Sequence, residues 1–235
     1  MPIELIGFDA DDTLWQTEIY YLHAQQALGM ILSHWEPAEK INEILYQIQV
    51  KNLPYYGFGI KAYILSMVET ALHISGGEIR GDQIEQILKI GTKMLDLDVI
   101  LLPHIEETLK YLSSNFRLMI LTKGDLLDQT RKVKKSGLSS FFFAVEVLVD
   151  KTPDTYKSVL DKYQVNPNTF LMVGNSIRSD VEPVLQLGST AVHIPANTTW
   201  QHEIVSDFDP SQRRFYTLEH IVQLPELITR INHAN

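Results

Sequence analysis

Asp9 and Asp11 stand two residues apart, where the apolar run from Ile3 to Phe8 gives way to acids. Two carboxylates held that close repel one another unless a proton or a cation lies between them. Aspartates in such a place also serve as turn or helix-capping residues. Three later segments carry groups of complementary chemistry. Thr122 and Lys151 are donors of the kind a bound phosphate needs, and Asp180 adds an anion for a hard cation such as magnesium. Each has an ordinary alternative: Thr122 as the cap of the following helix, and Lys151 as a solvated surface lysine.

Hydropathy patterning shows what must position these residues. Ile3 to Phe8 reads as a buried strand, neither a signal peptide nor a membrane span. From Thr17 the apolar residues recur at helical spacing, in Ile19, Leu22, Ala27, Met30 and Ile31. Further helices are predicted from Pro37 through Ile48, from Ile60 to about His73, and from Ile84 to Leu95. No strand is predicted between Gln16 and Leu101. Beyond Pro103 the pattern alternates, with strands predicted at Arg117–Leu121, Phe143–Val149, Phe170–Val173 and Thr190–Ile194. Helices fall between them, at Pro103–Ser114, Leu126–Ser136, Thr155–Tyr163 and from near Asp180 to Leu187. The stretch from Pro195 to Arg214 is polar and irregular, and a last helix, bent at Pro225, is expected from Leu218 to about Ile231. The expected fold is α/β, a Rossmann-like, doubly wound parallel sheet with an inserted helical domain. Residues 1–16 and 101–235 would form the core, and 17–100 the helical insert.

In such sheets ligands bind beyond the carboxyl ends of the strands. Asp9-Ala10-Asp11-Asp12-Thr13 follows the first strand, and Thr122-Lys123-Gly124-Asp125 the Arg117 strand. Asp150-Lys151-Thr152-Pro153 follows the Phe143 strand, and Gly174-Asn175-Ser176, with Asp180, the Phe170 strand. The chemistry-bearing residues are therefore expected to meet. Bulk composition is that of a soluble globular protein long enough for a full core and a second lobe. The 235 residues are 45% hydrophobic and carry a formal charge of -9, which argues against nucleic acid and anionic membranes as partners. There is no cysteine, which removes disulfides and thiolate metal sites and suggests a cytoplasmic setting. The 8 histidines show no metal-ligand spacing.

The four segments resemble, in order, the four motifs of the haloacid dehalogenase superfamily, and the insert resembles the helical cap many members carry. The resemblance implies a phosphatase in which Asp9 is a nucleophile that becomes an aspartyl-phosphate, and Asp11 a general acid and base. It implies Thr122 and Lys151 as catalytic residues that also bind the substrate phosphate, with Lys123 beside them. It implies Mg2+ held by Asp9, the Asp11 carbonyl, Asn175 and Asp180, and a small phosphorylated metabolite as substrate. Dehalogenating members lack an acid at the place of Asp11, which favours phosphate esters over carbon–halogen bonds. Asn175 departs from the family's usual acid, and is either a neutral metal ligand or the cap of the helix near Arg178. Lys123 stands where asparagine is frequent.

Other readings remain open on the sequence: a weakened family member that binds a phosphorylated ligand or partner, or a phosphomutase or phosphotransferase. A receiver-type signalling domain also gathers Asp, Thr and Lys, but is shorter and lacks the helical insert. Among the remaining residues, Trp15 is expected at the hinge. Tyr55, Tyr56 and Phe58 are expected in a loop, packing into the core or facing substrate. Arg178 would bind a distal anion or cap a helix.

Overall fold

The computed structural model describes residues 2–234. Six strands form one parallel sheet: β1 (Leu5–Phe8), β2 (Arg117–Lys123), β3 (Ala144–Leu148), β4 (Phe170–Gly174), β5 (Thr190–His193) and β6 (Phe215–Thr217). Their order is β3-β2-β1-β4-β5-β6. The order reverses at the β1/β4 pair, where Phe8 lies beside Val173, so a crevice opens past the ends of these two strands. Both faces of the sheet are covered. On one face Ile6, Phe8, Ile120 and Val173 pack with helices α5 (Ile105–Ser113) and α9 (Leu224–Ala234). On the other, Leu5, Met119, Leu121 and Met172 pack with α7 (Pro153–Lys162) and α8 (Glu182–Gln186). Burial on both sides explains why the strands read as continuous apolar runs.

The chain divides into two compact units. The first holds the sheet and runs through Gln16, then Val99–Lys123, then from Arg131 onward. Its two strand-like connections meet at the isolated pair of Trp15 with Leu101, with the Leu102 amide 3.0 Å from the Leu14 carbonyl. The second comprises Thr17–Asp98 and Gly124–Thr130. Its helices α1 (Glu18–Leu32), α2 (Ala38–Tyr56), α3 (Ile60–Ile74) and α4 (Gly81–Asp96) enclose a core of their own around Leu28, Leu45, Met67 and Ile87. A further helix, α6, spans Leu126–Lys135.

Three expectations change. The α2 helix continues past Pro54 to Tyr56, because a proline in the last turn forfeits only one backbone bond, and Gly57 closes the end with φ 67°. Tyr55 and Tyr56 therefore lie on a helix, and they are exposed, not core residues. Strand β6 falls between the tract read as irregular, which ends at Arg214, and the helix expected from Leu218: three residues are too few to show alternation, and pairing with β5 creates the strand. The last helix begins at Leu224, after a 3-10 turn, so Pro225 sits unbent in its first turn, where its missing N–H costs nothing. No helix among the described residues is long and apolar enough to cross a membrane.

Candidate active site

Asp9 ends β1, and its amide donates to the Val173 carbonyl at 2.9 Å, which locks the residue beside the end of β4. The chain then turns sharply through Asp12, at φ 59°, a left-handed conformation that aspartate tolerates. This turn returns Thr13 to Asp9, with Oγ1 3.2 Å from Asp9 Oδ2. Lys151 reaches the same place from beyond β3. Its ammonium lies 2.5 Å from Asp9 Oδ1 and 2.6 Å from Asp180 Oδ1, with the lysine side chain only 1% exposed. The surface-lysine alternative is thereby removed.

One buried ammonium between two carboxylates leaves a negative charge over. Burial pushes the Asp9 carboxyl up to about 7, with Lys151 opposing and the Asp180 charge reinforcing the rise. Lys151 is held well above its ordinary value: burial lowers it, but Asp180 and Asp9 outweigh that. The residual charge calls for a proton or a second cation.

The fourth motif folds as a π-turn at Ile177–Val181 before α8. Such turns recur at functional sites because they re-aim a side chain out of helical register. Here the re-aimed residue is Asp180, whose carboxylate also accepts from the Ser176 amide at 3.0 Å. It packs so tightly on Gly174 that a Cβ there would lie 2.2 Å from Asp180 Oδ2, so only glycine fits. The cap of this turn is Ser176, whose Oγ accepts from the Ser179 amide, so Asn175 is not the cap. Nor does Thr122 cap α6: Asp125 accepts from the Asp128 amide. Thr122 is 1% exposed at the end of β2.

The Asn175 side-chain terminus points into the site. The atom facing Asp9 lies 3.2 Å from Asp9 Oδ2, 3.3 Å from the Asp11 carbonyl oxygen and 3.2 Å from Thr13 Oγ1. Turned oxygen-in, the amide faces two acceptors. Turned nitrogen-in, it donates to both. The Asn175 amide stands beside one Asp9 carboxylate oxygen and the Asp11 carbonyl, at 3.2 and 3.3 Å, and oxygen donors of these kinds are ones that magnesium takes. The donor set thus fits magnesium, with one carboxylate, one carbonyl and one amide. No cluster of three His, Asp or Glu side chains suited to a metal occurs among the described residues. The reason is visible in Asp180, whose two oxygens face Lys151 and the Ser176 amide, and in Asp11, whose carboxylate turns elsewhere.

Asp11 accepts from the Trp15 indole at 2.8 Å and from Lys132 at 2.9 and 3.0 Å. Trp15 is buried and fixed to Leu101, while the Asp11 side chain keeps 26% exposure. Lys132 carries no motif signal, and only the rotation of α6 brings it here. Glu203 was likewise hidden in the irregular segment. Its carboxylate lies 2.7 Å from Lys123 and 2.5 Å from both Ser176 Oγ and Ser179 Oγ. Arg178 is not the cap of the turn, which is Ser176, and it donates to the His202 carbonyl at 3.2 Å.

Burial alone would raise Glu203, but Lys123 and the three hydrogen bonds bring it down to about 2. A depressed folded pKa gives stability that is present above the ordinary glutamate value and is lost as pH falls through about 2. Glu203→Gln should cost on the order of 3 kcal/mol at pH 7, and the gap should close between about pH 5 and pH 2. Urea unfolding of both proteins across that range checks this; a gap independent of pH would refute it.

A model of the haloacid dehalogenase-like hydrolases matches residues 3–188. This chain belongs to that family. A haloacid dehalogenase-like family hydrolase from Xanthomonas campestris is 32% identical and superposes with a TM-score of 0.89, covering 99% of this chain and 93% of that one. Glyceraldehyde 3-phosphate phosphatase of Pyrococcus furiosus is 24% identical over 248 residues, 99% of this chain and 96% of the relative. N-acylneuraminate-9-phosphatase of Mus musculus is 24% identical over 139 residues, 57% of this chain and 54% of the relative.

Proposed function

We propose that the chain is a magnesium-dependent phosphohydrolase of a small phosphorylated metabolite, working through an aspartyl-phosphate on Asp9. The observation that carries this reading is the shared ammonium. Lys151 holds Asp9 beside the oxygen cradle of Asp9, the Asp11 carbonyl and Asn175. The phosphatase names of two relatives support the substrate class.

In this reading the Asp9 carboxylate attacks phosphorus while Thr122 and Lys151 bind the phosphoryl oxygens. Asp11, aligned by Trp15 and open to solvent, donates a proton to the leaving oxygen and then takes one from the attacking water. Magnesium, held by Asp9, the Asp11 carbonyl and Asn175, would offset the phosphate charge. Asp180 serves by fixing Lys151 and the Ser176 amide, not as a direct ligand. The presence of Asp11 favours phosphate esters over organohalides.

Hydrolysis of p-nitrophenyl phosphate with and without magnesium tests the reading, and turnover that ignores both the cation and EDTA would sink it. Asn175→Asp adds a charge to the cradle and should lower the magnesium needed for half-maximal rate by roughly tenfold. An unchanged requirement would remove Asn175 from the cation.

A further inference from the structure

Three residues of the proposed phosphate site have a chain neighbour in one part-buried polar cluster, of which Asp150 is the exposed member. Lys123 follows Thr122, Asp150 precedes Lys151, and Ser179 precedes Asp180. The Lys123 ammonium lies 2.8 Å from Ser179 Oγ, 2.7 Å from Glu203 Oε1 and 3.9 Å from Asp150 Oδ1. Glu203 Oε2 accepts from Ser176 and Ser179, each at 2.5 Å, and Ser176 in turn binds Asp180 through its amide. The end of β2 and the turn after β4 thus converge on one carboxylate, from a 3-10 turn at Gln201–Glu203 outside the sheet, while Asp150 after β3 reaches only Lys123. The Arg178 contact to the His202 carbonyl fastens the same turn from its exposed side.

A buried carboxylate is costly unless paired and hydrogen-bonded, and this one has a cation and two hydroxyls, with 13% of its side chain exposed. The turn that carries Ser176, Ser179 and Asp180 has no sheet ladder to hold it, whereas catalytic groups need placement within about 0.5 Å. We propose that Glu203 is a positioning residue that, through Lys123, Ser176 and Ser179, holds Thr122 and the Asp180–Lys151 pair in register. Lys123, which the motif resemblance assigns to substrate, works here as the link to Glu203. This inference rests on the phosphohydrolase reading for its effect on rate, but not for its effect on the turns.

The test uses full-length Glu203→Ala and Glu203→Gln. In Glu203→Ala, amide exchange over residues 175–181 should accelerate, kcat for p-nitrophenyl phosphate should fall roughly 10- to 100-fold, and KM should stay within about threefold. Glu203→Gln keeps an acceptor for the two serines, so its exchange and kcat should lie between those of wild type and Glu203→Ala. Should Glu203→Ala not fold, faster exchange in Glu203→Gln than in wild type carries the test. Wild-type exchange at 175–181 in the variants overturns the proposal, as does a change confined to KM, which would put Glu203 on the substrate. If wild type hydrolyses no phosphate ester, the phosphohydrolase reading fails and the exchange measurement alone decides the role of Glu203.

Discussion

Asp9→Asn should remove p-nitrophenyl phosphate hydrolysis by roughly 10⁴-fold or more, the scale on which enzymes lose rate with their nucleophile. The fold should survive. Asparagine has nearly the same shape, and its neutrality leaves Lys151 paired one-to-one with Asp180. The variant should even gain stability relative to wild type as pH rises from about 4 towards 7. Burial raises Asp9 to about 7, with Lys151 opposing and Asp180 adding to the rise. A raised carboxyl pKa means stability that is full below the unfolded value and is lost as pH rises through about 7. Asparagine has nothing to ionise, so the difference should grow between about pH 4 and pH 7 and level off above that. Urea denaturation in EDTA measures it, and a steady-state assay measures the rate. Turnover near wild type in Asp9→Asn would end the covalent mechanism.

Lys151→Met should have the largest effect on the fold itself. The substitution keeps the length and apolar body of the side chain but strands Asp9 and Asp180 with no counter-ion, both in buried residues. Breaking a buried pair from one side typically costs about 3–5 kcal/mol, because the remaining charge is left uncompensated. Lys151 opposes the rise of the Asp9 carboxyl, so its removal should push Asp9 higher still, and the loss of stability should grow as pH rises towards and past 7. Adding Asp180→Asn should recover part of the stability and none of the activity. The comparison to make is the denaturant midpoint of the three proteins at pH 8 and pH 5. Equal midpoints for Lys151→Met and wild type at pH 8 would mean that the ammonium stabilises nothing there.

The sequence by itself determined the parallel α/β core, the helical segments between Thr17 and Asp98, and where Asp9, Thr122, Lys151, Asn175 and Asp180 stand along it. These residues were legible because each follows a short apolar run, and strands buried on both faces must end where polar residues begin. The exceptions were local patterns too weak to read. Strand β6 has three residues and exists only through its pairing with β5. The π-turn at Ile177 has the composition of an ordinary helix start, and the packing of Asp180 on Gly174 accompanies its altered register.

Tertiary structure alone decided which charge meets which. Asp180, expected from the motif to carry metal binding, pairs with Lys151, 29 residues earlier in the chain. Asp11 meets Lys132 across 121 residues, and Lys123 meets Glu203 across 80. No periodicity signals such pairs, because an exposed-looking charge on a helix or loop has the same sequence signature whether it faces water or a buried partner. Which of these it faces depends on helix rotation and loop docking, set by apolar contacts elsewhere in the core. The strand pattern therefore placed the reacting groups, while packing chose the partners that set their charge and orientation.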